Sequence, residues 1–388
     1  MRDNSILLLG LSDTAIMTAR CFKKYKSLKI YGLDYEERHN GFYSNMIEPL
    51  LTPDPNEGEE IWLMFIINWI KQSNHRFAII PVTDEFAYLT SKYKEKLNKY
   101  CSFILPEIDA LETIIERDHQ FKAAINAGIN VPPFSHRNPS YSYIKNNLKI
   151  PFAIKPVNVV KWRKSINKKG FIINKWEQLK NILDFVSSKK VDYLAQEIIE
   201  GDNNANYEVN SLFLPDGIIL QHTIRKIRQY PDKFGTATCI EVSNNDEVKE
   251  LASILIKNLG LYGFSNIEFK YSQKENKYYY IEANTRVWYQ VNYSAKLGIN
   301  FPVIYFEYLS NGTYHRRNLI SDKGKWVDFL PDILFWKTYK KIYRLSLISL
   351  IKSWLPVYST GLLSFRDPKP FIRDLNIKKR LKRRLYST

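Results

Sequence analysis

Short apolar runs and longer amphipathic stretches alternate along the chain, and their order predicts its architecture. SILLLG, Ser5 to Gly10, ends in a small-residue turn and gives way to DTAIMTARCFKK, whose apolar positions recur at helical spacing. KIYGLD and FAIIPV are further short strands, and the second leads into the helical TDEFAYLTSKYKEKL. Strands alternating with helices predict a parallel α/β layer over residues 1–105. HQFKAAINAGINVPPF predicts a helix stopped by Gly128, then an extended proline-containing entry to a second region. There PFAIKPV and VDYLAQEII flank the helical KWEQLKNILDFVSS over residues 106–200. NYEVNSLFL and GIILQHTI predict two strands about a Pro-Asp-Gly turn, followed by a polar loop from Arg225. A helix, DEVKELASILIKNLGL, begins at Asn245 or Asp246 as cap, and a helical SAKLG segment lies before the body ends near residue 320. The fold class read from this order is α/β followed by α+β lobes, with residues 321–388 as a helical appendage.

Between those last helices lies IEFKYSQKENKYYYIEANTR, a hairpin pattern of β-branched and aromatic runs about a polar turn. With the turn centred on Glu275, Tyr271 falls opposite Tyr279 and Glu268 opposite Glu282. Side chains alternate faces, so Glu268 shares a face with Lys270, and Glu282 shares one with Tyr280 and Asn284. Two carboxylates about 5 Å apart on neighbouring strands repel. A positive charge belongs between them: either a hard divalent cation such as Mg²⁺, held by these oxygens and by substrate phosphate, or a base such as Lys270.

Three further segments carry candidate chemistry. Lys155 interrupts the apolar strand PFAIKPV, where a buried ammonium needs a partner such as phosphate, unless it points to solvent. AQEIIEG, Ala195 to Gly201, is an apolar strand stopping at a glycine, which leaves backbone groups free for a base edge or is simply a strand end. RKIRQYPDKFG concentrates Arg225, Lys226 and Arg228, with Arg225 facing away from the other two; it is either a phosphoryl clamp or a solvated loop. The first strand–helix turn holds Gly10 and Ser12 but no GxGxxG, so it carries no dinucleotide fingerprint.

Composition narrows the class. The chain is 45% hydrophobic and 14% aromatic, as expected of a globular protein. Cys21, Cys101 and Cys239 are scattered, which points to structural thiols in a reducing, cytoplasmic compartment. No run suits a signal peptide or a membrane span. The net charge is +17, and 14 of the Lys and Arg residues lie at 337–388 against Asp367 and Asp374. Within residues 333–388, Trp336, Tyr339, Ile342 and Tyr343 alternate with lysines and precede KKRLKRRL, a pattern suited to an interfacial helix on the inner face of an anionic cytoplasmic membrane, or to a helix packed on the body with a solvated tail. The final basic run lacks interleaved aromatics, which argues against nucleic acid as partner.

The order of strand lysine, QEIIEG, basic segment and paired strands carrying E…E-x-N-x-R resembles the ATP-grasp superfamily over residues 1–310. RKIRQYPDKFGTAT narrows the resemblance to the carboxylate–amine ligase branch, which includes D-aspartate ligases, alongside carbamoyl-phosphate-synthase-like proteins. The resemblance implies a pre-ATP-grasp α/β domain at 1–105, a lysine-bearing lobe with its connecting helix at 106–200, a metal-bearing lobe at 201–320 and the basic appendage at 321–388. It implies ATP and Mg²⁺ as cofactors, with Mn²⁺ as the alternative ion. Glu268, Glu282 and Asn284 would hold the metal, and Lys155 the α- and β-phosphates. The Glu197 carbonyl and Ile199 N–H would meet adenine, and Asp202, or else Glu208, the ribose. Arg286, Arg225, Lys226 and Arg228 would steady the transferring phosphoryl group and the activated acid. The implied reaction joins a small carboxylic acid or amino acid to an amine acceptor through an acyl phosphate, with an envelope glycan or peptidoglycan precursor as acceptor. A non-catalytic scaffold of the same shape and an ATP-dependent carboxylase using bicarbonate are the alternatives. Two departures stand out. NVVKWRKSINKKG after Lys155 has five basic residues and only Gly170 where the family is glycine-rich, and no clean match exists for an earlier phosphate-contacting lysine, with Arg117, His119 and Lys122 competing.

Overall fold

The computed structural model describes residues 3–166, 168–315 and 323–375. Three sheets follow one another along the chain. The first contains β1 (Asp3–Leu9), β2 (Ile30–Asp34), β3 (Glu48–Leu51), β4 (His75–Pro81) and β5 (Cys101–Ser102), all parallel in the order β3-β2-β1-β4-β5. Its central strand shows why an unbroken apolar run belongs there. Leu7 and Leu9 pack with Trp62, Leu63, Ile66 and Ile70 on one face, while Ile6 and Leu8 pack with Ile16, Met17 and Ile304 on the other. A strand covered on both faces needs apolar residues at every position, and each such burial is worth roughly 1.5–3 kcal/mol relative to exposure. Strand β3 and the helix Glu59–Gln72 were not anticipated, because the helix is apolar nearly all round: Ile61 and Met64 are exposed while Trp62 and Ile66 are buried.

The second sheet is small and antiparallel, with β6 (Phe152–Pro156) between β7 (Phe171–Ile173) and β8 (Tyr193–Glu197). The helix Glu177–Ser188 covers it through Leu179, Leu183 and Val186, which meet Phe152, Ile154, Ile173 and Ala195. The glycine-poor stretch after Lys155 is not all loop. Asn158 caps a helix, Val159–Ser165, by accepting from Lys161 N at 3.0 Å, and Trp162 anchors it in the core.

The third sheet runs β13-β12-β9-β10-β11-β14-β15, from β9 (Asn206–Phe213), β10 (Ile219–Tyr230), β11 (Thr236–Val242), β12 (Gly263–Ser272), β13 (Lys277–Asn284), β14 (Lys325–Val327) and β15 (Val357–Thr360). The expected polar loop from Arg225 is instead strand as far as Tyr230, paired with β11. Lys226 and Arg228 are buried there because each meets a carboxylate, the condition under which a strand admits a charge. Asn245 caps the helix Asp246–Asn258, accepting from Val248 N at 3.1 Å.

The C-terminal region also departs from a purely helical appendage, since KWV and VYST add β14 and β15 to the sheet edge. The segment read as one interfacial helix is two helices, Phe329–Tyr339 and Leu347–Trp354. Arg344 at φ +48° breaks the run, and Ser346 caps the second helix. Asp332, fully buried, fastens this region to the sheet. It accepts from Arg228 Nε at 2.9 Å, Thr238 Oγ1 at 2.6 Å and Trp354 Nε1 at 2.7 Å. KKRLKRRL lies outside the described residues. No described helix is long and apolar enough to cross a membrane.

Candidate active site

A cavity of about 610 Å³ lies between the three-stranded sheet and the face of the seven-stranded sheet formed by β9, β12 and β13. Register explains its floor. Glu208 on β9 pairs with Glu268 on β12, and Glu268 pairs with Glu282 on β13, so three glutamates form one cross-strand row. Two residues along, Asn210, Asn266 and Asn284 form a second row. The facing of Glu268 and Glu282 was expected; the path to it was not. The turn is one residue tighter, with Tyr271 opposite Tyr278, and a bulge that leaves Ile281 without a cross-strand partner restores the glutamate pair. The bulge also reverses the face of Tyr280. Its ring lies in the core beside Phe269, and its hydroxyl donates to Gln120 Oε1 at 2.6 Å, rather than joining Glu282 as expected.

Two protein cations meet the three-glutamate row. Lys226 Nζ lies 2.7 Å from Glu268 Oε2 and 3.1 Å from Glu208 Oε1. Arg117, at the start of the helix Arg117–Asn126, donates to Glu282 Oε2 at 3.0 Å and to the Ile281 carbonyl at 3.2 Å. Burial opposes ionisation of Glu282, but Arg117 and then Lys155 outweigh it and hold the carboxyl at about 2. Burial pushes Glu268 up to about 6 despite Lys226, with Glu208 and Glu282 adding to the rise. Burial also works against Lys226 as a cation, yet Glu268 and Glu208 raise its pKa. Lys270, weighed as the neutralising base, instead donates to the carbonyls of Gly201 and Asp202 at 2.7 and 2.6 Å.

The asparagine row is cross-linked. Asn266 Nδ2 donates to Glu208 Oε2 at 3.0 Å and Asn210 Oδ1 at 2.8 Å, and Asn284 Nδ2 donates to Asn266 Oδ1 at 3.3 Å. Arg286 continues this face, with Nη2 at 3.5 Å from Asn284 Oδ1 and Nε at 3.1 Å from Asp84 Oδ1.

The opposite wall is cationic. Lys155 Nζ sits 3.2 Å from the centroid of the Phe234 ring, and burial, then Arg117, lower its pKa well below that of a free lysine. Burial and then Arg163 bring Lys169 down to about 8. Among the described residues, neither lysine forms an ion pair with a carboxylate. Gly170 lets the chain pass this wall: at φ +150°, a Cβ there would lie 2.7 Å from the Ile154 carbonyl oxygen and 3.1 Å from Lys155 Cδ. Glu197, Ile198, Ile199 and Asp202 line the cavity where β8 ends.

Of the residues singled out from the sequence, Lys155, Glu197, Ile199, Asp202, Lys226, Glu268, Glu282, Asn284 and Arg286 converge on this cavity. Arg225 and Arg228 do not. Arg225 faces away and pairs with Glu241, and Arg228 is committed to Asp332 because the β10–β11 register slips between Lys226 and Arg228. Glu208, the alternative ribose acid, belongs to the glutamate row instead. Asn210 and Asn266 were missed, and Arg117 had been only one of three competing cations. The signal was present in EVN, NIE and EAN, the same acid–amide pair two residues apart on three strands that are neighbours in the sheet.

The oxygen-only donors of Glu268, Glu282 and Asn284 fit a hard divalent cation such as Mg²⁺. Among the described residues no group of three or more His, Cys, Asp or Glu is placed to hold a metal ion unaided. Such a seat requires oxygens from elsewhere, which Mg²⁺ typically takes from phosphate and water.

Residues 227–297 match the ATP binding domain of the carbamoyl-phosphate synthase L chain. A D-aspartate ligase from Enterococcus faecium (strain Aus0004) is 23% identical over 227 residues, covering 54% of this chain and 53% of that protein, so the chain spans about half the length of this curated relative. An L-amino acid ligase from Bacillus licheniformis superposes with a TM-score of 0.60 over 80% of this chain and 75% of its own, at 15% identity. The ADP complex of N5-carboxyaminoimidazole ribonucleotide synthetase superposes with a TM-score of 0.66 over 89% of this chain and 86% of its own, at 12% identity. The chain therefore shares its fold with these ligases and synthetases, and its residues 227–297 are similar to an ATP binding domain.

Proposed function

We propose that the protein is an ATP- and Mg²⁺-dependent ligase that joins a carboxylate to an amine. The observation that carries this reading is the division of one cavity into a cationic wall, Lys155 and Lys169, and a carboxylate floor, Glu268 and Glu282. A nucleotide with its metal complements both: phosphate oxygens satisfy the lysines, and the metal satisfies the glutamates. The Glu197 carbonyl and Ile199 N–H would receive the adenine edge and Asp202 the ribose, all at the end of β8. Mg²⁺, or Mn²⁺ in its place, held by Glu268, Glu282 and Asn284, would supply positive charge against the repulsion between an anionic nucleophile and triphosphate.

In the first step a carboxylate oxygen of the acid attacks the γ-phosphorus, the bond to the bridging oxygen breaks, and ADP leaves with an acyl phosphate remaining. In the second step the amine nitrogen attacks the acyl carbon, phosphate leaves, and the nitrogen loses a proton to give the amide. Lys155 would hold phosphate in line, and Arg286 would stabilise the transferring group and then the leaving phosphate. Lys226, which lines the same cavity, would add positive charge facing the γ-phosphate. The chain contributes orientation and charge rather than a covalent nucleophile.

The acid is a small carboxylic acid or amino acid, and the amine belongs to a cell-envelope glycan or peptidoglycan precursor. The partial similarity to a D-aspartate ligase supports the first, and the basic, apolar C-terminal region, suited to the inner face of the cytoplasmic membrane, supports the second. The test is ADP release on mixing ATP, Mg²⁺, an amino acid and an amine-bearing precursor. Release should need both co-substrates and fall steeply in Glu282→Ala. A requirement for bicarbonate would replace this reading with a carboxylase, and failure of Mg-ATP to raise the melting temperature would leave only a scaffold.

A further inference from the structure

Exposed apolar surface is distributed very unevenly in this molecule. Of the seventeen large apolar side chains exposed among the described residues, ten lie between Ile342 and Leu375, a segment of 34 residues. The helix Leu347–Trp354 makes the clearest case. Leu350 turns inward and is fully buried, while Leu347, Ile348 and Ile351 lie outward, and Leu355 continues the stripe just past the helix end. Spacings of three and four residues place these side chains on one helical face, so the helix is amphipathic in the wrong sense for a free surface. Ile342, 74% exposed, adds to the stripe from the elbow that precedes the helix.

Charge says what covers this face. Lys337, Lys340, Lys341, Arg344 and Lys352 lie along the same segment and are all exposed. Between residues 337 and 375 only Asp367 and Asp374 are acidic, and Asp367 is buried, accepting from Ser44 Oγ at 2.8 Å. An apolar stripe on a segment rich in exposed bases and nearly free of surface acids matches a bilayer with anionic headgroups, where acyl chains take the stripe and phosphates meet the bases. A second copy of the chain would bring the same positive segment against itself, which repels.

We infer that the face formed by Ile342, Leu347, Ile348, Ile351 and Leu355 docks on an anionic lipid surface. This goes beyond the ligase reading and does not depend on it, yet it fixes an orientation for the cavity. Tyr343, on the same elbow, lines the cavity and donates to Asp232 Oδ1 at 2.7 Å. Asp232 lies two residues before Phe234, whose ring covers Lys155. Docking would therefore bring the Tyr343 side of the cavity toward the bilayer.

The test is cosedimentation of the full chain with vesicles of phosphatidylcholine alone or mixed with phosphatidylglycerol. Wild type should bind the anionic vesicles, less well at high salt, and leave the neutral ones. Ile348→Asp with Ile351→Asp should weaken binding by about tenfold or more while melting temperature and Mg-nucleotide binding stay at wild-type values, and Lys340→Glu with Lys341→Glu should weaken only the anionic component. The inference is overturned if wild type ignores anionic vesicles, if the apolar variant binds them as well as wild type, or if sedimentation velocity without lipid shows a dimer that the same substitutions dissociate. Because nucleotide binding is read separately, loss of the ligase reading and loss of this one give different results.

Discussion

The two walls of the cavity solve opposite problems. On the sheet floor each glutamate already contacts a protein cation, Lys226 at Glu208 and Glu268 and Arg117 at Glu282, but two cations face three carboxylates. On the facing wall Lys155 and Lys169 are depressed cations, one covered by an aromatic ring and neither paired with a carboxylate among the described residues. The difference teaches which half of the site is already ion-paired without ligand. The floor is held together by ion pairs before anything binds, whereas the lysine wall carries a desolvation cost that Glu282 and Glu268 offset only in part and an incoming anion would relieve.

Substitutions that exchange the roles of the walls test this contrast. The largest expected effect is on stability. Lys226→Met leaves Glu208 and Glu268 buried with no cation between them, a loss of about 3–5 kcal/mol by analogy with other broken buried pairs, read from urea unfolding at neutral pH. Glu282→Ala comes next and concerns turnover: ADP formation should fall on the order of 10²–10³-fold, the scale of removing one electrostatic stabiliser of a transition state. Lys155→Met should then separate the walls cleanly. Nucleotide affinity should fall about 10–100-fold, the equivalent of one charge-assisted hydrogen bond, while the ligand-free melting temperature holds or rises; a fall in melting temperature would show that Lys155 has a partner in the empty state.

The smallest effect is on pH dependence. The folded-state value of Lys169, about 8, lies below the 10.5 of a free lysine. Between those values the unfolded chain holds a proton that the folded chain has released, so ligand-free stability should rise as pH increases from 8 to 10.5. Nucleotide binding should weaken over the start of the same range as the wall loses charge. Lys169→Met should flatten the binding profile but only reduce the rise in stability, since Lys270, also near 8 through burial and then Lys226, and Lys155, lowered by burial and then Arg117, contribute the remainder.

Much of the floor was legible because strands repeat every two residues. Alternation sufficed to set Glu268 against Glu282, even though the turn was read one residue too wide, because the bulge at Ile281 compensates. The same alternation failed for Tyr280, which the bulge turns into the core, and for Arg228, which a register slip diverts to Asp332. Neither bulge leaves a mark in local composition. Asp332 and Arg117 were beyond reach for a different reason: their partners lie 104 and 165 residues away in sequence, and only the assembled sheet brings them together. The parallel sheet at the N-terminus was readable from FAIIPV and SILLLG, but the helix Glu59–Gln72 was not, since its apolar residues do not keep to one face.

The central claim is that facing acidic side chains and a cationic wall together receive a metal–nucleotide pair. Calorimetric titration of ADP into the full chain, with and without Mg²⁺, tests it most directly when wild type is compared with the Glu268→Gln, Glu282→Gln double variant. Wild type should bind far more tightly when Mg²⁺ is present, and the double variant should lose that metal dependence while remaining folded. Binding of equal strength in wild type with or without Mg²⁺, or no binding at all, would contradict the account.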